Sequence, residues 1–260
     1  MICTTCGTQY PQTPERCNIC NDDRQYINVN GQSWISFDEL RDRHEMTITQ
    51  VCDKLYSLQM DPGFALSNRA LLVQSASGNI LWDCVPLLND KTIAFINSIG
   101  GLKAIAFSHP HYYSTMNEWA AAFNCPIYIH ENDKPFIEYF TASIHLWNNE
   151  NLHLWDGISI IHTGGHFPGS CVLKVPFLSA QGTILCGDSI YISPSKRHTA
   201  VMYSYPNQIL LSKSEFSDFY KRTAGLSFDT MYGAFKNQDL EGNAMQVFTS
   251  SMQRYINTYG

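Results

Sequence analysis

The sequence predicts an α/β layered domain with mixed sheets, preceded by a small cysteine-rich segment. Three observations carry that reading. From about Arg69 onward, short apolar runs of strand length alternate with stretches of helical periodicity. Where no helix intervenes, turn residues separate the runs and mark hairpins in both halves. Hydrophobic residues fill 44% of the 260 positions and charged residues 15%, enough apolar surface for a substantial core and too little charge for disorder.

The elements follow in order. The opening "MICTTCGTQYPQTPERCNICNDDRQYI" is rich in Cys, Pro, Thr and Asn and has no apolar periodicity, which sets residues 1–30 apart from a domain over 31–260. Ser36 with Glu39 reads as a capping box opening a helix in "SFDELRDRHEM". "ALLVQSA" and "NILWDC", separated by Ser-Gly-Asn, read as a hairpin. "KTIAFINSIGGL" has helical spacing and stops on Gly-Gly. "AIAFSH" is a short buried strand, "TMNEWAAAF" a helix and "PIYIH" a strand. The second half repeats the pattern: strands in "ISIIHTGGH", "CVLKVPF" and "TILCGDSIYI", a helix in "SEFSDFYKRTAGL", a short strand in "DTMYGAF" and a closing helix in "NAMQVFTSSMQRYINTYG".

Composition removes several functions. The net charge is −6 and no Lys/Arg cluster is present, so no nucleic-acid partner is expected; "SPSKRHT" reads as a solvated loop. No apolar run reaches the roughly 20 residues of a membrane span. "MICTTCGTQ" lacks a basic segment followed by an apolar one, so a cytoplasmic, reducing location is expected. The nine cysteines are an odd number, and their placement argues against a disulfide framework.

Four of them form Cys3-x-x-Cys6 and Cys17-x-x-Cys20. Each such turn aims two thiolates at one point, and two turns complete a tetrahedron of sulfur that selects Zn²⁺ or a single iron. A segment this small needs such support to fold. "CTTCGTQY" resembles the first knuckle of rubredoxins and zinc ribbons, whereas "CNICN" lacks the proline and glycine usual in rubredoxins, which favours structural zinc. Cys52, Cys84, Cys125, Cys171 and Cys186 sit in apolar surroundings and read as core.

A second cluster is suggested by "IAFSHPHYYSTMNEW". His109 and His111 lie two apart after a strand, so both leave the same face of an extended segment. "HTGGHFPGS" places His166 in a glycine-rich turn, and "ILCGDSI" places Asp188 just past another strand. Three histidines and a carboxylate at strand ends form a candidate metal site.

At these residues the chain resembles the metallo-β-lactamase superfamily, whose members read HxHxDH after a strand, then GHTPGS, GD and a final GH. The resemblance covers about residues 64–236, with the blocks in the family's order. It implies a four-layer αβ/βα sandwich, metal ligation by His109, His111 and His166 with Asp188 shared, and a supporting role for Asp83 in "ILWDC". The departures matter as much: the family's Asp and last His of the first block fall on Tyr113 and Ser114, and its final His on Ala234. The second metal site thereby keeps only Asp188, so one ion, zinc or iron, is expected with the histidines.

Tyr113 stands two residues after His111, and on an extended stretch it points with the ligands, placing a phenol donor near substrate; packing in the vacated second site, or ligation of ferric iron, are the other readings. Tyr112 then falls on the opposite face, in the core. Tyr203, Tyr205 and His198 lie in the loop after Asp188, where the family places substrate-facing segments. His130 reads as a core or helix-entry residue, and His162 as packing or bonding locally.

The expectation is a mononuclear zinc hydrolase using Asp188 and Tyr113 on a small ester, thioester, lactone or amide. A non-catalytic metal- or ligand-binding protein, and an iron redox protein akin to flavodiiron and rubredoxin systems, are the alternatives.

Overall fold

Alternation along the strands decides the layering. In Ala70–Val73, Leu71 and Val73 turn to one face and Ala70 and Leu72 to the other; Ile80 and Trp82 separate from Leu81 in the same way, as do Ala104 and Ala106 from Ile105. In the computed structural model, which describes residues 1–260, the inward set of this sheet meets Ile160, Cys171, Leu173, Val175 and Leu185 of a second sheet. The outward sets are covered by helices. Leu40, Ile96, Met116 and Trp119 bring the helices Phe37–Arg43, Asp90–Ser98 and Met116–Phe123 onto the first sheet. Phe216, Phe219, Val247, Phe248 and Met252 bring Lys213–Thr223 and Ala244–Tyr259 onto the second. The result is the four-layer αβ/βα sandwich that the family resemblance implies, within the α/β layered class read from the sequence.

The first sheet has seven strands in chain order, from the hairpin Glu45–Cys52/Leu55–Asp61 to Ile144–Trp147. It is antiparallel as far as Ile80–Trp82 and parallel from there through Ala104–Ala106 and Ile127–His130. The second sheet runs from Asn151–His153 through Ser159–His162, Cys171–Val175 and Thr183–Gly187 to Thr230–Gly233 and Asp239–Leu240. Its one parallel pair, Thr183–Gly187 with Thr230–Gly233, is spanned by the helix Lys213–Thr223, as a parallel crossover requires.

The helix expected over "SFDELRDRHEM" keeps its Ser36–Glu39 capping box but stops at Arg43, because His44 turns extended and the chain enters the first strand of the sheet. No helix is long and apolar enough to cross a membrane. The cysteine-rich segment is stitched to the sandwich rather than held out on a tether. Ile2–Cys3 pairs with Trp34–Ile35, Tyr10 packs edge-on to Trp34 at 5.4 Å, and the Gln9 amide donates to Glu118 Oε1 at 2.8 Å.

Candidate metal centre

All four residues of interest leave strands at one rim of the sandwich. Asp83 follows Ile80–Trp82 directly, His109 lies three residues past Ala104–Ala106, His166 four past Ser159–His162, and Asp188 directly after Thr183–Gly187. The ligating atoms of His109, His111, His166 and Asp188 lie within 4.8 Å of one another, and all four residues are buried. The Nε2 atoms of the three histidines and Oδ1 of Asp188 have no hydrogen-bond partner. Four buried polar atoms converging without partners would each carry a desolvation cost, and a cation relieves all of them at once. The donor set therefore fits one metal ion.

The other ring nitrogens of His109 and His166 fix the tautomers of those two residues. His166 Nδ1 donates to the carbonyl oxygen of Tyr203 at 2.9 Å, which leaves the Nε2 lone pair free. His109 Nδ1 donates to Ser108 Oγ at 2.9 Å, and that hydroxyl in turn donates to Asp83 at 2.8 and 2.9 Å. Asp83 also accepts from the Ser108 backbone N–H at 2.8 Å. The supporting role expected of Asp83 is thus exerted through Ser108. Gly187 makes the close approach possible: a Cβ there would stand 2.1 Å from Ser108 Oγ, and its φ is +51°.

Burial sets the protonation states. It pushes the His166 imidazole down to about 4 and His109 and His111 well down, so all three are neutral, as ligation requires. It pushes the Asp188 carboxyl up to about 7, opposed by a hydrogen bond from Tyr112, and Asp83 up to about 8. Both carboxyls are disfavoured as isolated anions, and a cation in the centre reverses that.

The tyrosines correct the sequence reading. Tyr112, expected in the core, donates from its hydroxyl to Asp188 Oδ2 at 2.8 Å, and its ring lies 4.4 Å from that of His109. Tyr113, expected at the site, is 4% exposed and packs edge-on to Phe107 in the outer core of the first sheet. The cause is local: Pro110 starts a 3-10 turn over Pro110–Tyr112, so the segment is not extended. With three residues per turn, positions i and i+3 eclipse, which stacks Tyr112 over His109 and carries Tyr113 away.

A cavity of about 130 Å³ opens onto the centre, lined by Gln25, Leu66, His111, Tyr112, His166, Asp188, Tyr191, Tyr205, Pro206 and Phe235. Of the three loop candidates, Tyr205 lines it, with its hydroxyl held by the carbonyl oxygens of Asp188 and Ala200. His198 and Tyr203 do not. Pairing of Thr199–Ala200 with Tyr191–Ile192 turns His198 to an exposed cleft beside Arg254 and Tyr255 of the closing helix. Tyr203 turns its ring to the Arg24 guanidinium, 4.1 Å away. His130 and His162 are stacked at 3.8 Å away from the cavity, and His162 Nε2 donates locally to the Pro168 carbonyl.

At the positions of the degraded second site no ligand is present. Ser114 Oγ donates to the Gly7 carbonyl, and Ala234 is buried with its carbonyl accepting from the Arg69 N–H. The structure holds one further convergent cluster, Cys3, Cys6, Cys17 and Cys20, all buried. Its Sγ atoms lie 3.7 Å apart (Cys3–Cys20) and 3.5 Å apart (Cys6–Cys17). Those spacings are far beyond a disulfide bond and close to the edge of about 3.8 Å that a tetrahedron of 2.3 Å metal–sulfur bonds requires. Tyr10 donates its hydroxyl to Cys17 Sγ at 3.3 Å.

Layers, rim and donor set together define a protein of the metallo-β-lactamase fold, carrying a four-cysteine cluster and only one intact histidine centre. The chain belongs to the family of the uncharacterized protein YmaE of Bacillus subtilis (strain 168), to which it is 40% identical over 261 residues, spanning 98% of this chain and 95% of that protein. No family model matches it. Among solved structures, a metallo-β-lactamase of Cronobacter sakazakii with a HARLDQ motif superposes with a TM-score of 0.56 at 11% identity, covering 85% of this chain and 96% of that one. TTHA1623, in a di-iron-bound form, superposes with a TM-score of 0.53 at 18% identity, covering 70% and 94%.

Proposed function

We propose that the protein is a metal-dependent hydrolase that works with one ion, zinc, held by His109, His111, His166 and Asp188, while Cys3, Cys6, Cys17 and Cys20 hold a structural zinc in a knuckle over residues 1–30. The observation that carries this reading is the convergence of four unpartnered buried donors at the foot of a small cavity. Three neutral imidazoles with a fourth position open to water are a donor set of catalytic zinc, and the fold's solved relatives include metallo-β-lactamases. A bound zinc would supply Lewis acidity, polarising the scissile carbonyl and acidifying the attacking water.

The chain's own residues do the rest. Tyr112 holds Asp188 by Oδ2. Oδ1 stays free to share in ligation or to take the proton of the attacking water. Leu66, Pro206, Phe235 and the Tyr205 ring wall the cavity and limit bulk water. Its volume suits a small acyl compound: an ester, thioester, lactone or amide. Zinc-loaded protein should hydrolyse at least one member of a panel of small activated esters, thioesters and lactones, and His109→Ala should lose that rate. Equal rates in parent and His109→Ala across the panel would overturn the proposal.

A further inference from the structure

Gln25 comes from the cysteine-rich segment, yet it lines the cavity together with His111, His166 and Asp188. The residue is 5% exposed, and its Oε1 is buried with no hydrogen-bond partner. A buried amide oxygen left unpaired costs free energy that an apolar residue of the same length would not. Its retention points to a partner that arrives with the ligand.

The loop carrying it is pinned from several sides. Arg24 Nε donates to the His166 carbonyl at 2.6 Å, and its guanidinium lies 4.5 Å from the Phe167 ring and 4.1 Å from the Tyr203 ring. Ser204 Oγ donates to the Arg24 carbonyl at 3.0 Å, and Asn207 Nδ2 donates to the Gln25 carbonyl at 3.0 Å. On the other side the loop begins two residues after Cys20, a member of the cysteine cluster. Gln25 is therefore held at the cavity between the knuckle and the carbonyl of a candidate ligand.

The lining also indicates what Gln25 meets. No Lys or Arg faces the cavity, so an anionic group entering it would be desolvated without a cationic partner beyond the ion itself. A primary amide both donates and accepts, which matches a neutral amide or hydroxyl.

Resting on the metal-centre reading above, we infer that Gln25 is a substrate-binding residue that recognises a neutral hydrogen-bonding group, an amide or hydroxyl, next to the scissile bond. The four-cysteine knuckle is then a structural part of the active site.

Two thiols of similar size test this by calorimetry on the zinc-loaded, full-length protein: 2-mercaptoacetamide, whose amide can reach Gln25, and propanethiol, which has none. Both offer sulfur to the ion. The parent should bind mercaptoacetamide roughly three- to tenfold more tightly, the value of one hydrogen bond. Gln25→Leu should abolish that preference while leaving propanethiol affinity and metal content unchanged, and Gln25→Asn should weaken it. Cys17→Ser should abolish it too, through release of the loop. Retention of the preference in Gln25→Leu overturns the role of Gln25, and retention in a Cys17→Ser protein short of one zinc overturns that of the knuckle. Binding of neither thiol by the parent refutes the metal-centre reading itself, and this inference falls with it.

Discussion

Ser108→Ala removes a hydroxyl that is not itself a candidate ligating group and does not line the cavity, yet it should weaken metal binding at the histidine centre. The hydroxyl accepts from His109 Nδ1 at 2.9 Å and donates to the buried Asp83 carboxylate at 2.8 Å. Without it, His109 loses the partner that keeps its proton on Nδ1 and its Nε2 lone pair free. Asp83 keeps only the backbone N–H of residue 108. Loss of such a partner behind a ligating histidine costs about 10–100-fold in metal affinity, or about 1.4–2.7 kcal/mol. A competitive chelator titration reads the constant, and the cysteine cluster serves as an internal reference that should not move. Parent affinity in Ser108→Ala would refute the claim that the Asp83–Ser108–His109 chain supports the centre.

Two further outcomes are expected. Tyr112→Phe frees Asp188 Oδ2 from its 2.8 Å hydrogen bond and should lower turnover about tenfold or more, whereas Tyr113→Phe, in the core beside Phe107, should leave it within about twofold; the reverse pattern in steady-state rates would refute the assignment. Burial pushes the Asp133 carboxyl up to about 7, above the ordinary carboxylate range near 3.9. The folded state then keeps a proton that the unfolded chain loses, so this contribution to stability is full below about pH 4 and is lost as pH rises through about 7. Asp133→Asn cannot titrate and can still accept from the Gly169 N–H, so its stability relative to the parent should rise between pH 4 and 7 by an amount on the order of 2–4 kcal/mol. Urea unfolding at pH 5 and pH 8 measures this, and parallel pH dependence in the two proteins would refute it.

The candidate ligands were legible because metal chemistry leaves short, residue-specific marks at strand ends: His-x-His, Gly-His before Pro-Gly-Ser, and Gly-Asp. The tyrosines were not, because period-two alternation presumes an extended chain. Pro110 at the start of a 3-10 turn was the signal that could have corrected it. The hairpin Glu45–Cys52/Leu55–Asp61 carries its own alternation, with Met46 and Ile48 on one face and Thr47 and Thr49 on the other, but the capped helix read through its start. His198 and Tyr203 could not be placed from sequence, since their orientations depend on the closing helix and on Arg24. Gln25 left no mark at all. It reaches the centre because long-range contacts pin its loop, among them Arg24 on the carbonyl of His166, 142 residues further along the chain, and Asn207 on the Gln25 carbonyl.

The central claim is one ion at the histidines and one at the cysteines, and metal content measures it directly. Elemental analysis of protein expressed in zinc-supplemented medium should give two equivalents of zinc in the parent, one in His109→Ala and one in Cys17→Ser, with no visible iron–thiolate absorbance. Three equivalents in the parent, or two retained in His109→Ala, would contradict the account.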